Sequence, residues 1–477
     1  MLQPVDISSG QVSGVDSLSS AASAVVNWEI DEAGINRPRA GLATYTTTGL
    51  GTSPVVGMVR WKSYLVMVTQ DRKLWAISDA NPTVVLPLSD ATSGTQLEGM
   101  RRPVFAIGDQ YVYVTGGGRI QRWSNGLLLS EVISASPNCT HIAILGQRIV
   151  ANIDDSAAAT GSYQWSDIGE GAFGTWPAAN VANAEARADP VVAISENSSE
   201  LYLFGSETLQ VHGVGSDPTL PYELISAVNI GLAAPYAYTR MDSDFALLDD
   251  RLRLVMSDGR SAEPVSDAIQ RDIRSMTTIS DCWMYREERG QQSLLVVRFP
   301  TERRTFAYDL KAKRWTERDY YSAPFAADWP VNAHVYWPAR NYHLFGSSLT
   351  GGGLLRLDET SRQDIGGPLV CLRTTGWQDF GSANRKRSSR VKVIMRRGTA
   401  TQGATPGALE LRVQNDGGPW STWKQVSVGT PDDYGQNQDL YGLNGVFRRR
   451  RYGIRYSTSE DMSLVSVQDD VTDLGSP

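Results

Sequence analysis

Met58-Val59-Arg60-Trp61, Tyr64-Leu65-Val66-Met67-Val68-Thr69 and Lys73-Leu74-Trp75-Ala76-Ile77 stand in a row, separated by the polar turns Lys62-Ser63 and Gln70-Asp71. Apolar and polar residues alternate within these runs, the period of a strand with one face in a core. Linkers of this length make hairpins. The same triplet returns six times. Its central strands fall at Leu65, Val112, Ile149, Tyr202, Leu254, Val296 and Leu344, at steps of 47, 37, 53, 52, 42 and 48 residues. A loose period of about 45 residues, with three or four strands in each unit, is the signature of a β-propeller. One such unit cannot bury both faces alone, whereas a closed ring lets each blade pack on its neighbours. The reading is all-β, with about seven blades. Six or eight are also compatible with the loops at 79–103 and 213–243. One helix is expected, Ser266–Met276, in a loop between blades.

Composition agrees with an all-β chain. The 477 residues include 44 Gly, 22 Pro and 13 Trp, and only 20% are charged. Turn formers and aromatics in that proportion favour strands over helices, and the length allows about three domains. After Gly366-Gly367-Pro368 the strands lengthen, at Val370–Thr374, Arg390–Arg396, Ala408–Val413, Trp423–Val428, Arg451–Tyr456 and Leu464–Val467. Long glycine-rich loops at 397–407 and 429–446 separate some of them. This texture is that of a C-terminal antiparallel β-sandwich or barrel. The expected organisation is therefore residues 1–50 as an N-terminal extended segment docking with the C-terminal module or a partner, 51–367 as the propeller, and 368–477 as the C-terminal module.

Met1–Ser23 has no Lys or Arg and no apolar run, so it does not read as a signal peptide. No apolar stretch reaches the ~18 residues of a membrane helix. Cys139, Cys282 and Cys371 are odd in number and far apart, which fits buried thiols rather than a disulfide framework or a zinc site. His141, His212, His334 and His343 lack metal-ligand spacing, and His334 and His343 are expected to pack within a blade. The glycine runs 116–118 and 351–353 precede neither Gly-Lys-Ser/Thr nor a helix, so they read as hairpin turns rather than phosphate loops. Glu207, Glu263 and Asp281 are candidate acids for a glycosidase, which needs two carboxyl groups in one pocket. Nothing in the sequence pairs them. Trp165-Ser166-Asp167-Ile168-Gly169, with Phe173-Gly174-Thr175-Trp176, echoes the Asp-box turns of sialidase propellers, but it occurs once and with altered spacing. No catalytic, cofactor-binding or metal-binding residue is assigned.

Charge is unevenly spread. Val370–Tyr456 holds 15 Lys/Arg against 6 Asp/Glu, while Ser457–Pro477 has five acids and no base. The remainder, Met1–Leu369, is net −11. A basic segment inside an acidic chain of pI 5.3 points to contacts with other protein surfaces rather than general nucleic-acid binding. Arg385, Lys386, Arg387, Arg390, Arg396, Arg397, Arg448, Arg449, Arg450, Arg451 and Arg455 are the candidates for an interface with neighbouring subunits. Alternation along a strand sends half of such residues to each face.

Several short motifs resemble the packaged-DNA stabilisation proteins, or tail nozzles, of short-tailed bacteriophages (podoviruses). Leu203-Phe204-Gly205-Ser206-Glu207-Thr208-Leu209-Gln210 is similar to that family's FGSxTIE strand pair. Ile230-Gly231-Leu232-Ala233-Ala234 follows it, like the family's KGIAG turn. Ser266–Ile273 resembles its short helix. Phe306-Ala307-Tyr308-Asp309 with Trp315 resembles a VYDxxxxxW blade end. Val26-Asn27-Trp28 and Arg39-Ala40-Gly41-Leu42 look like its entry motif, with Arg37-Pro38 displaced. The tryptophan–serine turn at 165–167 and the basic hairpin Phe447–Arg455 also have counterparts there. The resemblance implies a structural virion protein with no catalytic residues and no cofactor. It implies a homohexamer below the tail adaptor (the head-to-tail connector ring) that retains packaged DNA and passes it at ejection, with no sequence-specific DNA contact. Its other implied partners are tail fibres or tailspikes and a tail needle or plug. It would be located in the virion tail and assembled in the host cytoplasm. The alternative is a carbohydrate-binding or glycan-cleaving propeller.

Overall fold

Among the described residues, seven four-stranded antiparallel units follow one another along the chain, and each places its first strand against the first strand or core of the next. The computed structural model describes residues 1–12, 24–89, 96–154, 161–184, 189–197, 199–290, 292–322, 325–349, 351–396, 407–428, 437–443 and 445–475. Five units stand as separate sheets. They begin at Val55–Trp61, Val104–Ile107, Ile142–Leu145, Val191–Asn197 and Tyr238–Met241. The sixth (Trp283–Arg289, Gln292–Phe299, Arg304–Asp309, Arg314–Glu317) and the seventh are embedded in larger sheets. Shared clusters join neighbours around the ring. Val66, Val68 and Leu74 of the first blade pack with Val112 and Trp123 of the second, and Val55 and Leu65 of the first pack with Trp337 and Leu344 of the seventh. Neither blade could cover those side chains alone, which is why the ring closes.

The seventh blade corrects the expected boundary at residue 50. Val331–Trp337, Tyr342–Ser347 and Leu354–Asp358 take Gly41–Tyr45 as their fourth strand, with Leu42 opposite Leu357 and Tyr45 opposite Leu354. A strand from near the start of the chain therefore completes the blade built near the end of the repeats. Gly41 is constrained by this approach, since a Cβ there would lie 2.2 Å from the Gln363 carbonyl oxygen. The expected helix Ser266–Met276 is reduced to Gln270–Arg274, seated by Ile269 and Ile273, both fully buried. The preceding residues form a turn in which Ser266 accepts the Leu254 N–H and donates to Gln270.

Tyr320–Ser322 pairs with Phe325–Ala327 in a small hairpin, Gln363–Asp364 and Gly367–Pro368 extend the seventh blade's sheet, and the other strands form two facing sheets. One centres on Lys386–Arg396 and Ser463–Asp473, with Leu2–Val5, Trp28–Ile30 and Asn36–Pro38 joining it. The other runs Ala24–Val26, Cys371–Thr374, Arg450–Tyr456, Ala408–Asn415, Lys424–Ser427. Their inner faces meet in one core that includes Val391, Val393, Leu409, Leu411, Tyr452, Ile454, Leu464 and Val467. Val26 also bridges to Glu317, so the second sheet continues into the sixth blade.

Candidate assembly interface

The entry motif proves to be a buried polar joint. Asn27 donates to Asp319 (2.6 Å) and to the Val370 carbonyl (2.8 Å), and its own oxygen accepts from Arg39 Nε (2.9 Å). Arg39 makes a two-pronged ion pair with Asp364 at 2.9 and 2.5 Å, both side chains almost fully buried, and lies over the Trp329 ring. Arg373, also buried, donates to Asn36 and to the Ser9 carbonyl. With few carbonyl and amide partners, burial lowers its pKa to about 9. Beside this joint, Glu287 is enclosed by Arg318 and Arg289. Burial alone would raise the pKa of Glu287, but the two guanidinium charges outweigh it and hold the carboxyl ionised.

The blade motifs are structural in the same way. Asp189 accepts the backbone N–H groups of Glu207 and Thr208 and the Thr208 hydroxyl, fixing the turn of the 203–210 motif. The second motif closes on it. Leu232 N–H donates to the Gly205 carbonyl, and a Cβ on Gly231 would lie 1.9 Å from the Ser206 oxygen. Trp315 stacks near Tyr308 (4.7 Å) and donates to the Val265 carbonyl.

Glu207, Glu263 and Asp281 stand on different elements. Glu207 is exposed at a turn of the fourth blade, Glu263 is exposed on the outer strand of the fifth, and Asp281 accepts from Thr301. His334 and His343 stack within the seventh blade, 3.0 Å apart between ring nitrogens, and burial lowers His334 to about 3. All three cysteines are buried as free thiols. Among the described residues no three metal-ligating side chains come together, and no helix is long and apolar enough to cross a membrane. An open cleft of about 580 Å³ beside Glu29, Arg37, Arg289, Asp309 and Arg362 has ion-paired walls, Arg289 holding Glu29 and Arg362 holding Asp461.

The structure divides the described candidate basic residues into four sets. Lys386 and Arg450 are buried and cannot meet a partner, which corrects their assignment. Lys386 donates to the Ser382, Asn384 and Arg448 carbonyls. Arg450 pairs with Asp469 at 2.8 Å, both fully buried, and Tyr452 and Ser388 also donate to Asp469. The physical reason is alternation: even positions of Arg450–Tyr456 face the core. Arg387, Arg390 and Arg396 lie on the outward face of the first sheet, with Arg385 exposed just before it. Arg390 there pairs with Asp439. Arg397 lies outside the described residues. Arg448 is exposed beside the second sheet, where Asp416 receives the backbone N–H groups of Arg448 and Arg449.

Arg449, Arg451 and Arg455 belong to an alternating stack that the sequence reading missed. Arg449 lies 4.7 Å from the centre of Trp377. Arg451 lies between Trp377 (4.9 Å) and Trp420 (5.2 Å). Arg412 sits between Trp420 and Trp423, 4.4 Å from each, and Arg455 is 4.6 Å from Trp423. Gly453 makes room for the middle of the ladder, since a Cβ there would meet Arg412 at 3.0 Å and Trp420 at 3.4 Å. Each contact adds about 0.5–1 kcal/mol where exposed. Glu410 pairs with Arg455, and Arg451 reaches Gln414. Arg412 Nε has no hydrogen-bond partner, and burial with the charges of Arg455 and Arg451 lowers its pKa. The signal available in the sequence was Trp420-Ser421-Thr422-Trp423 opposite a strand with arginine at alternate positions.

Fold and site together define a β-propeller scaffold with a basic, aromatic sandwich attached. Over residues 32–353 the chain matches the phage-stabilisation family model, described as bacteriophage P22 Gp10, beta-propeller, and it belongs to that family. It is a phage structural protein of the DNA-stabilisation class. No curated protein matches it. Among solved structures it is similar to the computationally designed Ika8 protein, at 10% identity over 67% of this chain and all of that one, with a TM-score of 0.41. The WD40 β-propeller domain of Doa1 follows at 9% identity, 67% and 96% coverage and a TM-score of 0.40. The extracellular domain of the one-component system BT4673 from B. thetaiotaomicron gives 9% identity, 66% and 40% coverage and 0.44.

Proposed function

We propose that the chain is a tail nozzle or head-completion subunit of a short-tailed phage. A homohexameric ring of it extends the tail channel below the adaptor, retains packaged DNA and passes it at ejection. The family match across the propeller carries this reading. The role is structural rather than enzymatic, consistent with separated acids and buried, ion-paired carboxylates. The displayed arginines of the sandwich supply contacts to neighbouring subunits, to the adaptor and to tail fibres or a needle. DNA passes without sequence-specific binding along an acidic and small-polar wall, because a lysine- or arginine-lined channel would hold phosphates strongly. The test is a phage stock in which this gene is interrupted. The reading expects heads that package DNA and then lose it, with the chain present in the tail of complemented particles, assembled in the host cytoplasm. Particles that keep their DNA and infect normally without the chain contradict it.

A further inference from the structure

The arginine–tryptophan ladder is a cationic, aromatic surface of the sandwich. The chain also carries a surface of opposite character. Residues 188–239 contain six Asp/Glu and no Lys or Arg. They include the outermost strand of the fourth blade, Tyr222–Val228. On and beside that edge Val214, Leu220, Leu224 and Ile225 are 43–52% exposed, next to the exposed Asp217 and Glu223. A register irregularity against Leu209–Val214 leaves Ile225 without a partner position, lying over Gly213. Blades four and five together (residues 189–281) are net −9, while 370–456 is net +9. An apolar patch rimmed by charge marks an interaction site. Tryptophan and arginine are the side chains that carry most binding energy at such sites.

We propose that the ladder of one copy docks on the outer edge of the fourth blade of a second copy. The inference rests on the reading of the chain as a ring-forming subunit, and adds which surfaces meet. Guanidinium groups stacked on indoles suit carboxylates such as Glu223 and Asp217. The indoles cover Leu224 and Ile225. Ladder and edge are different surfaces of one chain, so the contact is head-to-tail and repeats until the rotation closes a ring.

Charge reversal in two halves tests this. One variant carries Arg451→Glu and Arg455→Glu; the other carries Asp217→Arg and Glu223→Arg. Each full-length protein is sized by mass photometry at physiological salt, with near-ultraviolet circular dichroism and thermal midpoint confirming the fold. The expected result is rings for the native chain, at least tenfold weaker assembly for each variant alone, and recovery on equimolar mixing. Recovery follows because reversed ladders then meet reversed edges, and native ladders meet native edges, in alternation. Arg451→Lys with Arg455→Lys keeps the charge and should assemble partly. Native-sized rings from either folded variant overturn the proposal, as does a folded pair that fails to recover on mixing. A ladder variant that assembles normally but loses duplex-DNA affinity also overturns it, assigning the face to nucleic acid. A native chain that stays monomeric and is absent from virions contradicts the ring reading itself, a different failure from intact rings that ignore the ladder.

Discussion

The propeller and the sandwich use arginine in opposite ways. In and around the propeller, guanidinium groups are enclosed with carboxylates: Arg39 with Asp364, Arg318 and Arg289 with Glu287. In the sandwich Arg450 is treated so, while Arg387, Arg396, Arg412 and Arg455 are left at or near the surface, the last two propped on tryptophan. Buried pairs hold a shape, and displayed ones are available to another surface. The difference teaches that one residue type serves as pin or as contact according to whether it is enclosed in the core or stacked at the surface.

The sharpest way to break this contrast is at the joint. Arg39→Ala leaves Asp364 buried and unpaired, and is expected to cost about 3–5 kcal/mol in denaturant unfolding. The pair Arg39→Met with Asp364→Leu should recover much of that. Arg39→Ala with unchanged stability would mean the joint does not hold the ring. Glycines give the next comparison. Gly231→Ala drives a methyl into the Ser206 carbonyl and should cost about 1–3 kcal/mol. Gly453→Ala instead pushes on flexible Arg412 and should shift the melting temperature little while weakening assembly. Equal stability losses at the two sites would erase the distinction.

A smaller effect is pH-dependent. Burial raises Glu196 of the fourth blade from 4.5 to about 7, so the folded chain binds a proton that the unfolded chain has released. Stability from this group is therefore full below about pH 4.5 and lost as pH rises through 7. Glu196→Gln should raise the thermal midpoint at pH 8 and change it little at pH 4. A gain of the same size at both pH values would show that charge is not the cause. The smallest effect is expected at Arg387, exposed on the outward face, where Arg387→Ser should stay within ~0.5 kcal/mol.

The strand triplets were legible because alternation is local, and Leu65, Val112 and Ile149 all fall in second strands of blades. Outer strands were harder to read. Glu131–Val132 is two residues long, and Ala262–Pro264 is wholly exposed, so neither shows a core-facing period. Gly41–Tyr45 was placed with the N-terminal segment because its partner lies some three hundred residues later. The entry motif was found as letters, but its meaning depends on Asp319 and Asp364, which no local pattern ties to Asn27 and Arg39. Within the basic hairpin, alternation foretold that half the charges would turn inward. That Arg450 is among them follows from the buried Asp469, nineteen positions on. The ladder escaped because Trp420 and Trp423 lie outside the named strands, in the connection before Lys424–Ser427, and Arg412 belongs to another strand.

Hydrogen–deuterium exchange, followed by mass spectrometry on the free chain and on the assembled ring, tests the division of labour most directly. The account predicts new protection in peptides covering 410–424, 449–456 and 220–228, with the inner strands of the blades equally protected in both states. Protection confined to those inner strands, or none gained at 410–424 and 449–456, would contradict a rigid propeller joined to its neighbours through the sandwich.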